Sequence, residues 1–161
     1  MLILSSPQFH DGDQIPVRYT GLGQNVSPPL RWSGIPKNTV DLALICDDPD
    51  APGPEAWVHW VIYSLSPIAT SGLAEGVPTK PLVVHPVSAA QGINSFEKYG
   101  YGGPLPPPGH GAHRYFFKLY ALDFKLPLKP GLTKTELLEK MANHIVADTQ
   151  LMGRFEQHYK P

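Results

Sequence analysis

The chain is 161 residues long, carries a formal net charge of −1 and contains a single cysteine, Cys46. That length suits one domain over residues 1–161, able to bury roughly two-thirds of its unfolded surface without disulfide staples. A near-zero charge with no polybasic cluster excludes a broad electrostatic footprint for nucleic acid or anionic membrane, so any anion the protein prefers has to be held by a local site.

In chain order, Met1 to Pro7 lacks the basic start and long apolar run of a signal peptide, and no later run reaches membrane-spanning length. A cytoplasmic protein without stable membrane insertion is therefore expected. Leu2 to Ser5 is a short β candidate. Asp11-Gly12-Asp13 marks a turn, and Ile15 to Thr20 reads as a short edge strand, where Pro16 is tolerated. Leu30-Arg31-Trp32 alternates as a strand does. Thr39 to Ile45 is nearly all apolar after Asp41, the pattern of a strand buried on both faces, with Cys46 a buried thiol beside it. Trp57 to Leu65 is its partner. From Ser66 to Tyr101 periodicity is weak, and Leu82-Val83-Val84 is the clearest strand there. Tyr115 to Leu122 is the strongest strand of the chain.

Thr133-Lys134-Thr135-Glu136 is a capping box, in which threonine and glutamate satisfy each other's backbone amides at a helix start. Leu137, Leu138, Met141, Ala142, Ile145 and Val146 follow at helical spacing and predict a helix from Lys134 to about Ala147. Thr149 to Phe155 is a last short strand, weakened by Gly153. The 19 prolines and 15 glycines punctuate these apolar runs and form no low-complexity tract. Many short strands, Gly/Pro turns and one late helix predict a mainly β protein, an antiparallel β-sandwich with a peripheral C-terminal helix.

Two loops carry the chemistry. Asp47-Asp48-Pro49-Asp50-Ala51-Pro52-Gly53-Pro54-Glu55-Ala56-Trp57-Val58-His59 lies between two apolar runs, so it sets acids and a histidine at a sheet rim. Gly100-Tyr101-Gly102-Gly103-Pro104 through Gly109-His110-Gly111-Ala112-His113-Arg114-Tyr115 likewise delivers histidine and tyrosine to the mouth of a strand. If the loops face one another they enclose one small polar cavity. Arg114 should alternate away from its neighbours on the strand and serve as an ion-pairing structural residue. His110 is a candidate rim residue, whereas His144 on the helix is expected to pack. Pro49, Pro104 and Pro106 to Pro108 are candidates for cis peptides.

The Asp48-Pro49-Asp50-Ala51-Pro52 segment with His59, joined to Gly100-Tyr101-Gly102-Gly103-Pro104 and His113-Arg114-Tyr115, resembles the phosphatidylethanolamine-binding protein family. Its bacterial and archaeal Raf-kinase-inhibitor-like branch is the nearest in pattern. The likeness extends to Asn25 through Trp32, Gln91-Gly92-Ile93-Asn94 and Tyr120-Ala121-Leu122-Asp123, nearly the whole chain. It implies two antiparallel sheets with Greek-key connections. It also implies an anion pocket for phosphate or phosphorylated head groups formed by Asp48, Asp50, His59, Gly103, Pro104, His113 and Tyr115, with Pro52 and Trp57 at its rim. Leu105 stands where many bacterial relatives have cysteine, which removes a disulfide or reactive thiol at that position.

A carboxylate beside a histidine favours imidazolium near neutrality. Charged imidazoles, the Tyr115 hydroxyl and loop amides would then donate to an oxyanion, with affinity falling as pH rises through the histidine range. Each residue also has a structural use: the aspartates can cap turns, the histidines can be hydrogen-bonded core residues, and the Tyr115 ring can be core. No metal or cofactor is implied. The reading is a small-ligand binding protein whose ligand is a phosphate-type anion or phosphorylated small molecule. By resemblance it regulates a protein partner such as a kinase, and general frequencies favour a homodimer. The alternative is a hydrolase using Asp48, Asp50, His59 and His113, with or without a metal among them; against it, no H-E-x-x-H, G-x-S-x-G or cysteine-nucleophile motif is present. A third reading, an interaction module docking through its proline-rich loop, has no specific signal in the sequence.

Overall fold

The computed structural model describes residues 1–158. Along the chain run β1 (Ile3–Ser5), β2 (Leu30–Ser33), β3 (Asp41–Asp48), β4 (Trp57–Leu65), β5 (Gly72–Leu73), β6 (Leu82–Val83), β7 (Ala89–Gln91), β8 (His113–Leu122), α1 (Lys134–Met141) and β9 (Ile145–Phe155). They form two antiparallel sheets, a small one in the order β1-β2-β5 and a large one in the order β6-β7-β4-β3-β8-β9. Within the large sheet, β3, β4 and β7 are neighbours in sequence order and β8 returns beside β3, which is the Greek-key arrangement.

The large sheet is covered on both faces, which is why β3 is buried throughout. Leu42, Leu44 and Cys46 of β3, Trp60 and Ile62 of β4, and Tyr115, Phe117 and Leu119 of β8 point into the sandwich core with Leu4, Leu30 and Trp32 of the small sheet. The intervening residues Ala43, Ile45, Val61 and Tyr63 point the other way, onto Leu126, Leu132 and the Leu137 and Met141 face of α1. Each large apolar side chain so buried contributes about 1.5–3 kcal/mol. On this outer face the buried carboxylate of Asp47 pairs with Lys134 Nζ at 2.6 Å and Lys118 Nζ at 3.5 Å, tying the start of the helix to the end of β3.

The capping box forms as expected: Thr133 Oγ1 accepts from the Glu136 amide and the Glu136 side chain accepts from the Thr133 amide. The helix is shorter than its apolar spacing predicts. It ends at Met141, Asn143 turns the chain with φ 68°, and Ile145 and Val146 already belong to β9. The reason is pairing: β9 runs along β8 from Leu122↔Ile145 to His113↔Phe155, and those ladder bonds outweigh two more helical residues. His144 consequently lies in the turn, where Nδ1 contacts Asp123 at 2.9 Å and the ring packs on Phe124. The expected edge strand at residues 15–20 is instead a 3₁₀ turn over Val17–Tyr19. The cis bond among the described residues is His85–Pro86, and none of the prolines singled out above has one.

Candidate functional site

Asp48 and Trp57 face each other where β3 and β4 open into the first Pro-rich loop. One Asp48 oxygen accepts the Asp50 amide at 2.8 Å, an Asx turn that starts the loop. The register then shifts: Cys46 pairs with Trp60 but Asp47 pairs with Val58, leaving His59 as the extra residue of a β-bulge. Plain alternation would put His59 on the same face as Val61, against the helix. The bulge turns it to the pocket side, and Gly102 locks it there. The Gly102 amide donates to the His59 carbonyl at 2.9 Å, and the Gly102 carbonyl lies 2.6 Å from His59 Nδ1. A carbonyl can only accept, so Nδ1 carries the proton and Nε2 is left as the free ring nitrogen.

From the other side, β8 alternates His113, Tyr115 and Phe117 inward and Arg114 and Phe116 outward. Asp48 Oδ2 meets His113 Nδ1 at 2.7 Å, with both side chains buried. The other ring nitrogen of His113 lies 2.6 Å from Nδ1 of His110, an exposed residue of the second loop. Asp50 holds Arg114 by a two-pronged ion pair at 2.9 Å and accepts the Arg114 amide at 2.9 Å. Arg114 therefore pairs structurally, as its outward position predicts.

These loops enclose a cavity of about 330 Å³ lined by Asp48, Ala51, Pro52, Trp57, His59, Phe96, Leu105, Pro106, Pro107, His113 and Tyr115. Six of the nine residues singled out in the sequence meet there. The other three stand behind it. Asp50 faces Arg114. The Gly103 amide is taken by Asn25 Oδ1 at 2.7 Å, and the Pro104 carbonyl accepts from Gly21 at 2.7 Å. Phe96 and Leu105 are wall residues that sequence reasoning missed. Phe96 comes from the long stretch without periodicity; it packs edge-on against both Trp57 and His59, with centroids 5.5 Å apart in each case. Phe96 and Leu105 also border a second cavity of about 490 Å³, lined further by Asn25, Thr79, Asn94, Lys98 and Tyr101.

The electrostatics of the first cavity follow from burial. His59 packs edge-on against Tyr115 at 5.1 Å, and Tyr115 stacks on His113 at 6.5 Å. Burial pushes the His59 pKa below its usual value, an effect larger than the opposing help of the Gly102 carbonyl and the Asp48 charge. The expected imidazolium is thus corrected for His59, which has no carboxylate in contact. Burial, reinforced by Asp48, raises the Tyr115 pKa far above its usual value, so its hydroxyl keeps its proton. Desolvation likewise raises the Cys46 thiol well above normal and leaves it inert. No group of three or more His, Cys, Asp or Glu side chains among the described residues is arranged to hold a metal ion.

The fold and cavity define a class: a two-sheet antiparallel β protein with a Greek key and, at one sheet rim, a mainly apolar pocket into which Asp48, His59, His113 and Tyr115 are set. The family profile of "Phosphatidylethanolamine-binding protein" matches residues 5–156, and the chain belongs to that family. It is 47% identical over 154 residues to a UPF0098 protein of Methanothermobacter thermautotrophicus, covering 96% of this chain and 98% of that one. The crystal structure of the Chlamydia trachomatis phosphatidylethanolamine-binding protein homologue CT736 superposes with a TM-score of 0.86 at 41% identity, covering 97% of both chains. Escherichia coli YbcL, described as a new member of the mammalian PEBP family, gives 0.88 at 28% identity, covering 96% of this chain and 98% of that one. No helix among the described residues is long and apolar enough to cross a membrane.

Proposed function

We propose that the protein binds a small oxyanionic ligand, of the phosphate or phosphorylated head-group type, in the cavity between the two Pro-rich loops. The observation that carries this reading is the state of two buried side chains. Tyr115 and His59 are 1% and 3% exposed and line the same cavity. The Tyr115 hydroxyl and His59 Nε2 have no hydrogen-bond partner among the described residues, whereas His59 Nδ1, both ring nitrogens of His113 and both oxygens of Asp48 are engaged in the manner set out above. Both atoms therefore open onto the cavity, where a ligand oxygen between the two would satisfy them.

Membership of a family named for binding phosphatidylethanolamine supports a small-ligand role. The head group, a protein partner such as a kinase, self-association and a cytoplasmic location are parts of the same proposal. The loops come to the site already tied by Asp50–Arg114 and Asn25–Gly103, so little ordering entropy is left to lose on binding. Titrating inorganic phosphate or phosphoethanolamine into the protein, with the His59 and His113 ring protons followed by NMR, tests the reading. Saturable shifts confined to these rings and Tyr115 are expected, and spectra unchanged to tens of millimolar would end it.

A further inference from the structure

The donors and acceptors left free in the cavity specify more than a negative charge. His59 Nδ1 is committed to the Gly102 carbonyl at 2.6 Å, and the ring is buried with no carboxylate in contact, which favours the neutral form; that form offers the pocket a lone pair at Nε2 and no proton. His113 has no free nitrogen: Nδ1 is held by Asp48 at 2.7 Å and Nε2 by His110 at 2.6 Å. Both Asp48 oxygens are occupied, by His113 and by the Asp50 amide. Among the lining side chains this leaves two donors, the Tyr115 hydroxyl and the Trp57 indole at the rim, and one acceptor, His59 Nε2. The only full charge within the wall whose sign is fixed is the negative one of Asp48, and Arg114, the nearest guanidinium in sequence, is turned away onto Asp50.

We propose that this pocket selects oxyanions that bring their own proton: a phosphomonoester in its singly charged form, accepting from Tyr115 and donating its P–OH to His59 Nε2. A phosphodiester or a sulfate ester of the same charge has no proton to give and sets an oxygen lone pair against the nitrogen lone pair. Such a mismatch leaves Nε2 without a donor once the ligand covers it and discriminates by about tenfold or more. A dianion is disfavoured as well, because it loses the proton and adds charge beside Asp48. This inference rests on the ligand-binding reading above and sharpens it: it assigns the ligand to the phosphomonoesters and away from diester-linked lipid head groups.

The titratable and charged groups facing His59 are Asp48 on β3 and His113 and Tyr115 on β8, with Glu97 and Lys98 beyond Phe96; Asp47 acts on it only through its charge, from the outer face of the sheet. The buried His59 ring, with no carboxylate in contact, favours its neutral form, and an alkyl phosphate, with a second pKa of about 6, still carries its proton in mild acid.

The test is calorimetric titration of the intact protein at about pH 6 with methyl phosphate, dimethyl phosphate and methyl sulfate, three ions of like size. Methyl phosphate binding about tenfold or more tighter than both others supports the proposal. Equal binding of all three overturns it and leaves the ligand-binding reading standing, whereas no binding by any of them overturns both. A second measurement uses His59→Asn, whose amide can still donate to the Gly102 carbonyl but has nothing at the Nε2 position. The preference for methyl phosphate should collapse to within about twofold while the variant keeps the wild-type spectrum of its other methyl groups. Retained preference in the folded variant places selection elsewhere and overturns the assignment to His59.

Discussion

Asp48 Oδ2 and His113 Nδ1 stand 2.7 Å apart, 65 residues distant in sequence and both buried. This contact clamps the two Pro-rich loops together at the floor of the cavity. Removing one member of such a pair leaves the other uncompensated. Asp48→Ala is expected to cost about 3 kcal/mol of stability, because the His113 ring and the Asp50 amide both lose their acceptor. Urea denaturation checks this, and a loss below about 1 kcal/mol would mean that the pair is not the clamp described.

The pH dependence of stability follows from His59. Its pKa in the folded protein lies below the 6.5 of a free histidine, so between the two values the unfolded chain binds more protons than the folded one. Stability is then complete above about pH 6.5 and falls as pH drops toward the folded value. Wild type should lose more stability than His59→Asn on going from pH 7 to pH 5, measured by thermal unfolding across that range. Parallel curves would contradict the assignment.

Gly103 does its work through packing. A Cβ there would fall on the Tyr19 carbonyl oxygen and 2.6 Å from Asn25 Oδ1, the atom that accepts the Gly103 amide. Gly103→Ala is expected to destabilise by about 1–3 kcal/mol as the second loop is pushed off the 19–25 segment. It should also weaken ligand binding, since that loop carries Gly102 and hence the orientation of His59. Denaturation and titration of the same sample measure both.

The helix offers a contrast on the far face of the sheet. Thr133→Ala removes the side-chain half of the capping box and should cost about 1 kcal/mol with ligand affinity unchanged. A large change in affinity would show that the helix and the pocket are mechanically coupled.

The two loops and the residues that meet between them were legible because their chemistry is local. Asp48 and His59 flank one Pro-rich turn, while His113 and Tyr115 share a strand face by simple alternation. The orientation of His59 was not legible, since it depends on a one-residue bulge against Cys46 and Asp47 that periodicity cannot reveal. Nor was its charge, which burial by Phe96 and Tyr115 decides against the nearby aspartates. Gly103 and Pro104 stood out in the sequence, yet they act behind the wall by holding the 19–25 segment. The helix was overextended because Ile145 and Val146 suit either a helix face or an edge strand, and only the long β8 partner chooses between them.

A crystal structure of the protein grown with saturating inorganic phosphate tests whether the pocket takes an oxyanion. A single phosphate is expected in the 330 Å³ cavity, with one oxygen about 2.7 Å from the Tyr115 hydroxyl and another about 2.8 Å from His59 Nε2. An empty cavity at saturation, or phosphate bound only at a site that touches neither residue, would contradict it.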